Sequence, residues 1–291
     1  MRTDASLLPG TRDGYADLEH VRLHYVTAGD DAAPLVLMVH GFPDFWYSWR
    51  HQILPIAEAG FRVVAIDLRG YNLSDKPEGI ASYGTAVVAK DLADLIDSLG
   101  AKRAHVIGHD WGAGISWAFA MAHPDRLDRL ALCNGPHPEN LLASMRDPVQ
   151  LARSWYVFLF QIPWLSNEIC KLDGFKLLLD GFRTPAVTPG KITPHDLEIY
   201  AKSYRQPGAV DAMLRYYRGA MRPSLAPKPA SVEARVLSIW GVNDPHLGRE
   251  LATPPAAKVP NATTEFVLDA SHWVHHEQPD RVNALLLKHL T

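Results

Sequence analysis

The chain has 291 residues, 47% hydrophobic and 21% charged, which suits a globular enzyme built as one large domain or a domain with an insertion. A net charge of −3 argues against nucleic acid or an anionic membrane surface as partner. Two cysteines, Cys133 and Cys170, are too few for a disulfide framework and lack metal-ligand spacing, so free thiols in a reducing, cytoplasmic setting are expected. The opening Met1–Ser6 lacks the apolar centre of a signal peptide, and no apolar run approaches the roughly 20 residues of a membrane span.

Taken in order, His20–Val26 alternates and predicts an antiparallel edge strand. Leu35–Val39 is continuously apolar, as in a strand buried on both faces, and leads into His40-Gly41-Phe42-Pro43. That stiff turn would present the Phe42 N–H at a strand's carboxyl end, where open α/β sheets place ligands. A helix interrupted near Pro55 is expected from Trp46 to about Ala59, then a strand over Phe61–Ile66 closed by Asp67-Leu68-Arg69-Gly70-Tyr71. Val88, Leu92, Leu95, Ile96 and Leu99 share one helical face, and Gly100 sits where a left-handed residue would end that helix.

Arg103–Ile107 predicts the next strand, followed by Gly108-His109-Asp110-Trp111-Gly112 and a helix to about Ala122. Strand, small-x-acid-x-small, helix is the pattern of a nucleophile elbow, with Gly108 and Gly112 expected where the turn is too sharp for a Cβ. An aspartate at its centre sets the chemistry. A carboxylate attacks acyl groups poorly but can displace a leaving group at an sp³ carbon, leaving an alkyl ester for water to cleave. Leu130–Cys133 predicts another buried strand, ending at Asn134-Gly135-Pro136.

From 137 to 227 the parallel-strand texture gives way to aromatic, helix-length segments: Ser154–Gln161, His195–Tyr204 and Val210–Tyr217. This predicts a helical lid (137–227) inserted between two parts of one core (1–136 and 228–291). Strands over Ala234–Trp240 and Thr264–Leu268 and a helix with Val282, Leu285, Leu286 and Leu290 on one face complete a mostly parallel sheet with helices on both faces. Pro254 and Pro255 interrupt the helix expected between those last two strands.

Asp110, Asp244 and His272 each follow a predicted strand, in the order acid nucleophile, acid, histidine that runs through α/β-hydrolases. His272 would activate water, Asp244 would orient it, and the N–H groups of Phe42 and Trp111 would form an oxyanion hole. Asp244 alone would read as a turn residue. His275 and His276 lack the His-Glu-x-x-His form of a zinc site and are expected on the surface or in packing. His109 is expected to orient the elbow. The leaving group stays open on these residues: an alkoxide needs a proton donor, a halide only N–H groups, and the lid offers Tyr156, Tyr200, Tyr204, Tyr216 and Tyr217 as phenols.

The run from His40 to Arg50, together with Gly108-His109-Asp110-Trp111-Gly112, resembles the α/β-hydrolase-fold epoxide hydrolases. Asp67–Asp75 is similar to their Gly-Tyr-Gly-x-Ser segment, with Asn72 where glycine is usual. The resemblance implies lid tyrosines at Tyr156 and Tyr217, with Tyr216 a close competitor, and a cis peptide before Pro43. It implies a substrate site of Phe42, Pro43, Trp111, Tyr156 and Tyr217, and a reaction that needs no cofactor or metal. Small lipophilic epoxides and water are the expected partners, and a homodimer is allowed. Two rivals remain: a haloalkane or haloacid dehalogenase using the same aspartate, and a non-catalytic ligand-binding protein on the same fold.

Overall fold

A computed structural model describes residues 4–184 and 187–291. Residues 1–3 of the segment read for a signal peptide, and 185–186 within the predicted insertion, lie outside it. Among the described residues one eight-stranded sheet has the order β1-β2-β4-β3-β5-β6-β7-β8. The strands are β1 (Arg12–Asp17), β2 (Arg22–Ala28), β3 (Leu35–Val39), β4 (Arg62–Ile66), β5 (Ala104–His109), β6 (Leu127–Cys133), β7 (Arg235–Gly241) and β8 (Ala262–Val267). β2 runs antiparallel to both β1 and β4; from β4 to β8 every pairing is parallel. The strand predicted at the edge is therefore one place inside it. β1 is missing from the sequence reading because Arg-Asp-Gly-Tyr-Ala-Asp carries little strand propensity; pairing with β2 holds it extended.

α1 (Ile53–Glu58), α2 (Thr85–Ser98), α3 (Trp111–Ala122), α4 (Pro138–Ser144), α5 (Pro148–Arg153), α6 (Trp155–Leu159), α7 (Pro163–Lys171), α8 (Lys176–Asp180), α9 (Pro194–Tyr204), α10 (Ala209–Ala220), α11 (Val274–Glu277) and α12 (Pro279–Leu290) complete the fold. Strand order reverses at β3, so right-handed crossovers put α1 on one face and α2 and α3 on the other. α2 packs along α3, and α1 against α12. All of β3 and β5 is buried, as continuous apolar runs between two helical layers require. The stretch from β6 to β7 is helical, α4 to α10.

The helix expected across Pro55 breaks earlier. Trp46–Trp49 forms a single 3₁₀ turn, and α1 starts at Ile53, which puts Pro55 in its first turn, where no N–H is needed. Between β7 and β8, beside Pro254 and Pro255, only a 3₁₀ turn (Arg249–Leu251) forms.

A buried polar cluster fastens the start of the chain to the sheet edge. His24 Nδ1 lies 2.7 Å from Asp67 Oδ2 and its Nε2 2.9 Å from Asp13 Oδ1. Carboxylates only accept, so both ring nitrogens carry protons and the ring is charged. Burial works against that charge, but Asp67 followed by Asp13 and Asp4 overcomes it and raises His24 to about 9. Asn72, at φ 38°, donates to Asp67 Oδ2 and to Asp4 Oδ2, and Trp46 Nε1 also donates to Asp4. The shift from 6.5 to about 9 corresponds to roughly 3 kcal/mol. It is fully present below pH 6.5, the unfolded value, and is lost as pH rises through 9. Urea unfolding of wild type and His24→Gln should therefore differ most below pH 6.5 and converge above pH 9; a gap independent of pH would contradict a charged His24.

Candidate active site

The elbow forms at the carboxyl end of β5. Asp110 adopts φ 52°, ψ −121°, a strained conformation for a non-glycine residue, and α3 begins at the next residue. The flanking glycines serve space rather than backbone angle. A Cβ on Gly112 would lie 2.1 Å from the Val39 carbonyl oxygen, and one on Gly108 2.6 Å from Ser116 Oγ, while neither glycine has positive φ. The left-handed strain sits on Asp110 itself.

His40-Gly41-Phe42-Pro43 closes over that carboxylate. The Phe42 N–H donates to Asp110 Oδ1 at 2.8 Å, and a Cβ on Gly41 would stand 2.5 Å from Asp110 Cβ. The peptide between Phe42 and Pro43 is cis. His40 fixes the turn: its Nε2 accepts from Leu68 N at 3.0 Å, so Nδ1 carries the proton and donates to Gly41 O at 2.8 Å. The Phe42 arm of the expected oxyanion hole thus already rests on the Asp110 carboxylate.

His272 Nε2 is 3.5 Å from Asp110 Oδ2, and its Nδ1 is 2.7 Å from Asp244 Oδ2. Asp244 is fully satisfied: Oδ1 accepts from the N–H groups of His246 (2.7 Å) and Leu247 (3.0 Å), and Oδ2 also from Asn134 Nδ2 at 2.8 Å. Burial opposes ionisation of all three groups, but they hold one another charged. Asp244 and then Asp110 raise His272 to about 10, and His272 lowers both carboxylates below their ordinary range. The resting site is thus an imidazolium between two carboxylates.

Asn134, in the turn after β6, has a role that the sequence does not announce. It sits at φ 43° beyond β6, accepts from Gly241 N at 2.9 Å through Oδ1, and directs Nδ2 at Asp244. Glu277, fully buried, accepts from Ser271 N and Oγ with Oε1 and from Thr188 N and Oγ1 with Oε2, which ties the loop before His272 to the helical stretch. Neither role has a motif; both come from loops that meet only in the folded chain.

Of the two places expected for the histidines beside the site, surface or packing, the structure selects packing. His275 and His276 are buried, not superficial. His109 Nε2 donates to the His272 carbonyl at 2.9 Å; burial and then the His272 charge push its pKa down to about 4, so the ring is neutral. Asp44, His109 and His275 each offer a potential ligand atom within 4.8 Å of the others.

Among the lid phenols, Tyr216 and Tyr217 point to different places. The Tyr216 hydroxyl donates to Arg69 O at 2.8 Å, away from Asp110. Tyr217 packs edge-on to Phe42 and to Trp111, each with ring centroids 5.0 Å apart, and to Tyr156 at 5.9 Å. Burial, then neighbouring charges including Asp110, keep Tyr156 and Tyr217 protonated. Gln161 Nε2 donates to Tyr217 O at 3.1 Å, and Arg218 Nε to Phe160 O at 2.9 Å, so α6 and α10 are laced together behind the two phenols. Tyr200 and Tyr204 are buried among aromatic side chains. Phe42, Asp110, Trp111 and Tyr156 keep partial exposure, with the Asp110 side chain at 16%. Pro43, by contrast, is buried.

Comparison with known proteins fits this geometry. The family described as alpha/beta hydrolase fold matches residues 34–279. The AB hydrolase superfamily protein YfhM of Bacillus subtilis is 38% identical over 97% of this chain and 99% of its own. Epoxide hydrolase 4 of Homo sapiens is 38% identical over 91% of this chain and 75% of its own. The crystal structure of a Bacillus megaterium epoxide hydrolase with an inhibitor superposes with a TM-score of 0.88 at 35% identity, over 95% of this chain and 99% of that one. A variant of that enzyme has been solved with its product, a naphthyloxy-propane diol.

Asn134→Gly should cost about 1–3 kcal/mol by leaving the Gly241 N–H unpaired without adding backbone strain. Asn134→Asp should cost more, because a second carboxylate then faces Asp244 Oδ2. Equal denaturation midpoints for wild type and Asn134→Asp would contradict that assignment.

Proposed function

The chain belongs to the alpha/beta hydrolase fold family and, within it, to the epoxide hydrolases, and on that premise we propose that it opens a lipophilic epoxide to a vicinal diol through a covalent ester on Asp110. The observation that carries the proposal is one carboxylate in a strained elbow, its Oδ1 on the Phe42 N–H, with Tyr217 packed against both Phe42 and Trp111. Residues 137–227 act as a cap that brings the phenols to the core.

In this reading Tyr156 and Tyr217 hydrogen-bond the epoxide oxygen. An Asp110 oxygen attacks a ring carbon from the opposite side, the C–O bond breaks, its electron pair goes to oxygen, and a phenol donates the proton. The product is a hydroxyalkyl ester of Asp110. The proton that His272 gives up after esterification restores the phenol; neutral His272 then takes a proton from water, whose oxygen attacks the ester carbonyl. Phe42 and Trp111 N–H groups stabilise the oxyanion, and collapse breaks the ester C–O bond, the leaving alkoxide taking the hydroxyl proton of the regenerated Asp110 carboxyl to give the diol and the starting charges. Phe42, Pro43, Trp111, Tyr156 and Tyr217 form the substrate site of this reading, Pro43 by holding the turn. No cofactor is required. A homodimer and a cytoplasmic location belong to the same reading; the buried, free thiols of Cys133 and Cys170 support a reducing compartment.

Charge decides the order of steps. In the resting site His272 is held protonated, so it is no base. Esterification removes the Asp110 charge that helps to hold its proton, and the His272 pKa falls when a base is needed. In rapid-quench experiments ester formation should vary little between pH 6 and 9, whereas ester hydrolysis should rise with pH through an apparent value below the resting value of about 10. Hydrolysis that falls with rising pH would contradict His272 as the base.

The phenol assignment separates two neighbours. Tyr156→Phe and Tyr217→Phe should each slow ester formation about 10–100-fold, and the double change about 10³-fold or more. Tyr216→Phe should leave the rate within about threefold and cost about 1 kcal/mol of stability, because Arg69 O loses its donor. A collapse on Tyr216→Phe with Tyr217→Phe active would reverse the roles. Halide release from haloalkanes without diol from epoxides would assign a dehalogenase.

A further inference from the structure

α5 is buried the wrong way round for a packing helix. Its apolar Val149 and Leu151 are 59% and 38% exposed, while the polar Gln150 between them is 1% exposed. A buried primary amide in a helix of one and a half turns signals a specific set of partners rather than core filling. Asp147 caps the helix by accepting from Val149 N at 2.9 Å, with Pro148 as its first residue, so the position of Gln150 is fixed locally.

The partners lie across the cap–core boundary, on the loop that carries Asp244. Gln150 Nε2 donates to His246 O at 2.7 Å and to Ser154 Oγ at 3.0 Å, and Gln150 Oε1 accepts from Gly248 N at 3.1 Å. The His246 carbonyl and the Leu247 N–H belong to one peptide unit and point in opposite directions. Gln150 holds the carbonyl side, and Asp244 Oδ1 takes the N–H side at 3.0 Å. Asp244 Oδ2 in turn receives His272 Nδ1 at 2.7 Å. A continuous hydrogen-bonded chain therefore runs from a cap side chain, through one backbone peptide, to the acid and the base. Each link polarises the next, and the bond to Gln150 makes the Leu247 N–H a better donor to Asp244.

We propose that Gln150 is a positioning residue through which the cap holds Asp244 on His272, so that the ester-hydrolysis step depends on a side chain that never touches substrate. The proposal rests on the epoxide-hydrolase reading for its kinetic consequence only. Asn134 holds Asp244 from the core side through Oδ2, and Gln150 governs the other oxygen through the peptide. Without the amide, the 246–247 peptide loses its anchor and its N–H leaves Oδ1, so that only the His246 N–H holds that oxygen and the carboxylate can turn on its own axis away from Nδ1. Ester formation does not use His272 as a base and is insensitive to that rotation.

Two variants separate this role from packing. Gln150→Met keeps length and volume but removes every hydrogen bond. Gln150→Glu keeps an acceptor for Gly248 N and loses the donor to His246 O. In single-turnover experiments with styrene oxide, both should form the Asp110 ester within about threefold of the wild-type rate. Both should hydrolyse it at least about tenfold more slowly, part of the roughly 10²–10⁴-fold that a positioned base contributes. The ester should accumulate in both, and in Gln150→Met, which adds no charge, the pH limb of hydrolysis should move down, because an imidazole that loses its carboxylate holds its proton less tightly. The other titratable groups that face His272, Asp110 across the site and His109 and His246 beside it, are unchanged in both variants.

A second readout needs no substrate. The downfield proton NMR line of the His272 Nδ1–H should shift upfield in both variants and, in the charge-neutral Gln150→Met, vanish at lower pH than in wild type. Equal loss of both half-reactions with an unmoved pH limb, or an unchanged proton line, would overturn the proposal and leave Gln150 a structural residue. If wild type forms neither ester nor diol from any epoxide, the functional reading fails, while the proton line still decides the role of Gln150.

Discussion

An imidazolium buried between two carboxylates is the constraint on which the rest of this site depends. Burial alone would neutralise each of Asp110, His272 and Asp244; together they stay charged because each finds opposite charge within 3.5 Å. One negative charge remains uncompensated. It is met by fixed dipoles: the Phe42 N–H on Asp110, the His246 and Leu247 N–H groups and the Asn134 amide on Asp244. The environment that holds these charges apart from water would also respond to the loss of one of them in the proposed ester. In the proposed mechanism the same atoms act first as an ion pair and then as an ester and a base.

The sheet makes this possible by geometry. β3, β5, β7 and β8 are parallel, so their carboxyl ends lie on one side and deliver the Phe42 turn, Asp110, the Asp244 loop and the His272 loop to one place. β6 joins them through Asn134. The helical stretch between β6 and β7 then reaches back over the same ends, with Tyr217 against Phe42 and Trp111, Gln150 on the Asp244 loop and Thr188 on Glu277 behind the His272 loop. That helical stretch is therefore coupled to Asp244 and His272 as well as to the space above Asp110.

Much of this was legible in the sequence, for reasons that can be named. Apolar runs bounded by turn residues mark β3, β5 and β7, and the small residues around Asp110 mark a place where the β3 backbone passes within 2.1 Å of where a Cβ would be. The resemblance of the His40–Arg50 and elbow segments pointed to the cis peptide at Pro43, and it is the source of the proposal for Tyr156 and Tyr217. What was not legible came from contacts between distant loops. Asn134 looks like any turn residue until β6 lies beside β7. Gln150 looks like an exposed helical amide until α5 lies against the Asp244 loop. β1 carries too many polar residues to announce a strand, and His275 and His276 are buried only because a polar pocket around Ser48 and Arg50 receives them. The glycines were read for the right place and the right reason, the lack of room for a Cβ, while the strained backbone angle belongs to Asp110.

The central claim is that the oxygen added to the substrate comes from Asp110 and not directly from water. The most direct measurement is a single turnover in heavy-oxygen water, with enzyme in excess over epoxide, followed by mass spectrometry of the diol and of the Asp110 peptide. The account predicts an unlabelled diol and a heavy oxygen in the Asp110 carboxylate, because water attacks the ester carbonyl. A labelled diol from an unlabelled enzyme would mean that water opens the ring itself, and Asp110 would then be a base or a charge rather than the nucleophile.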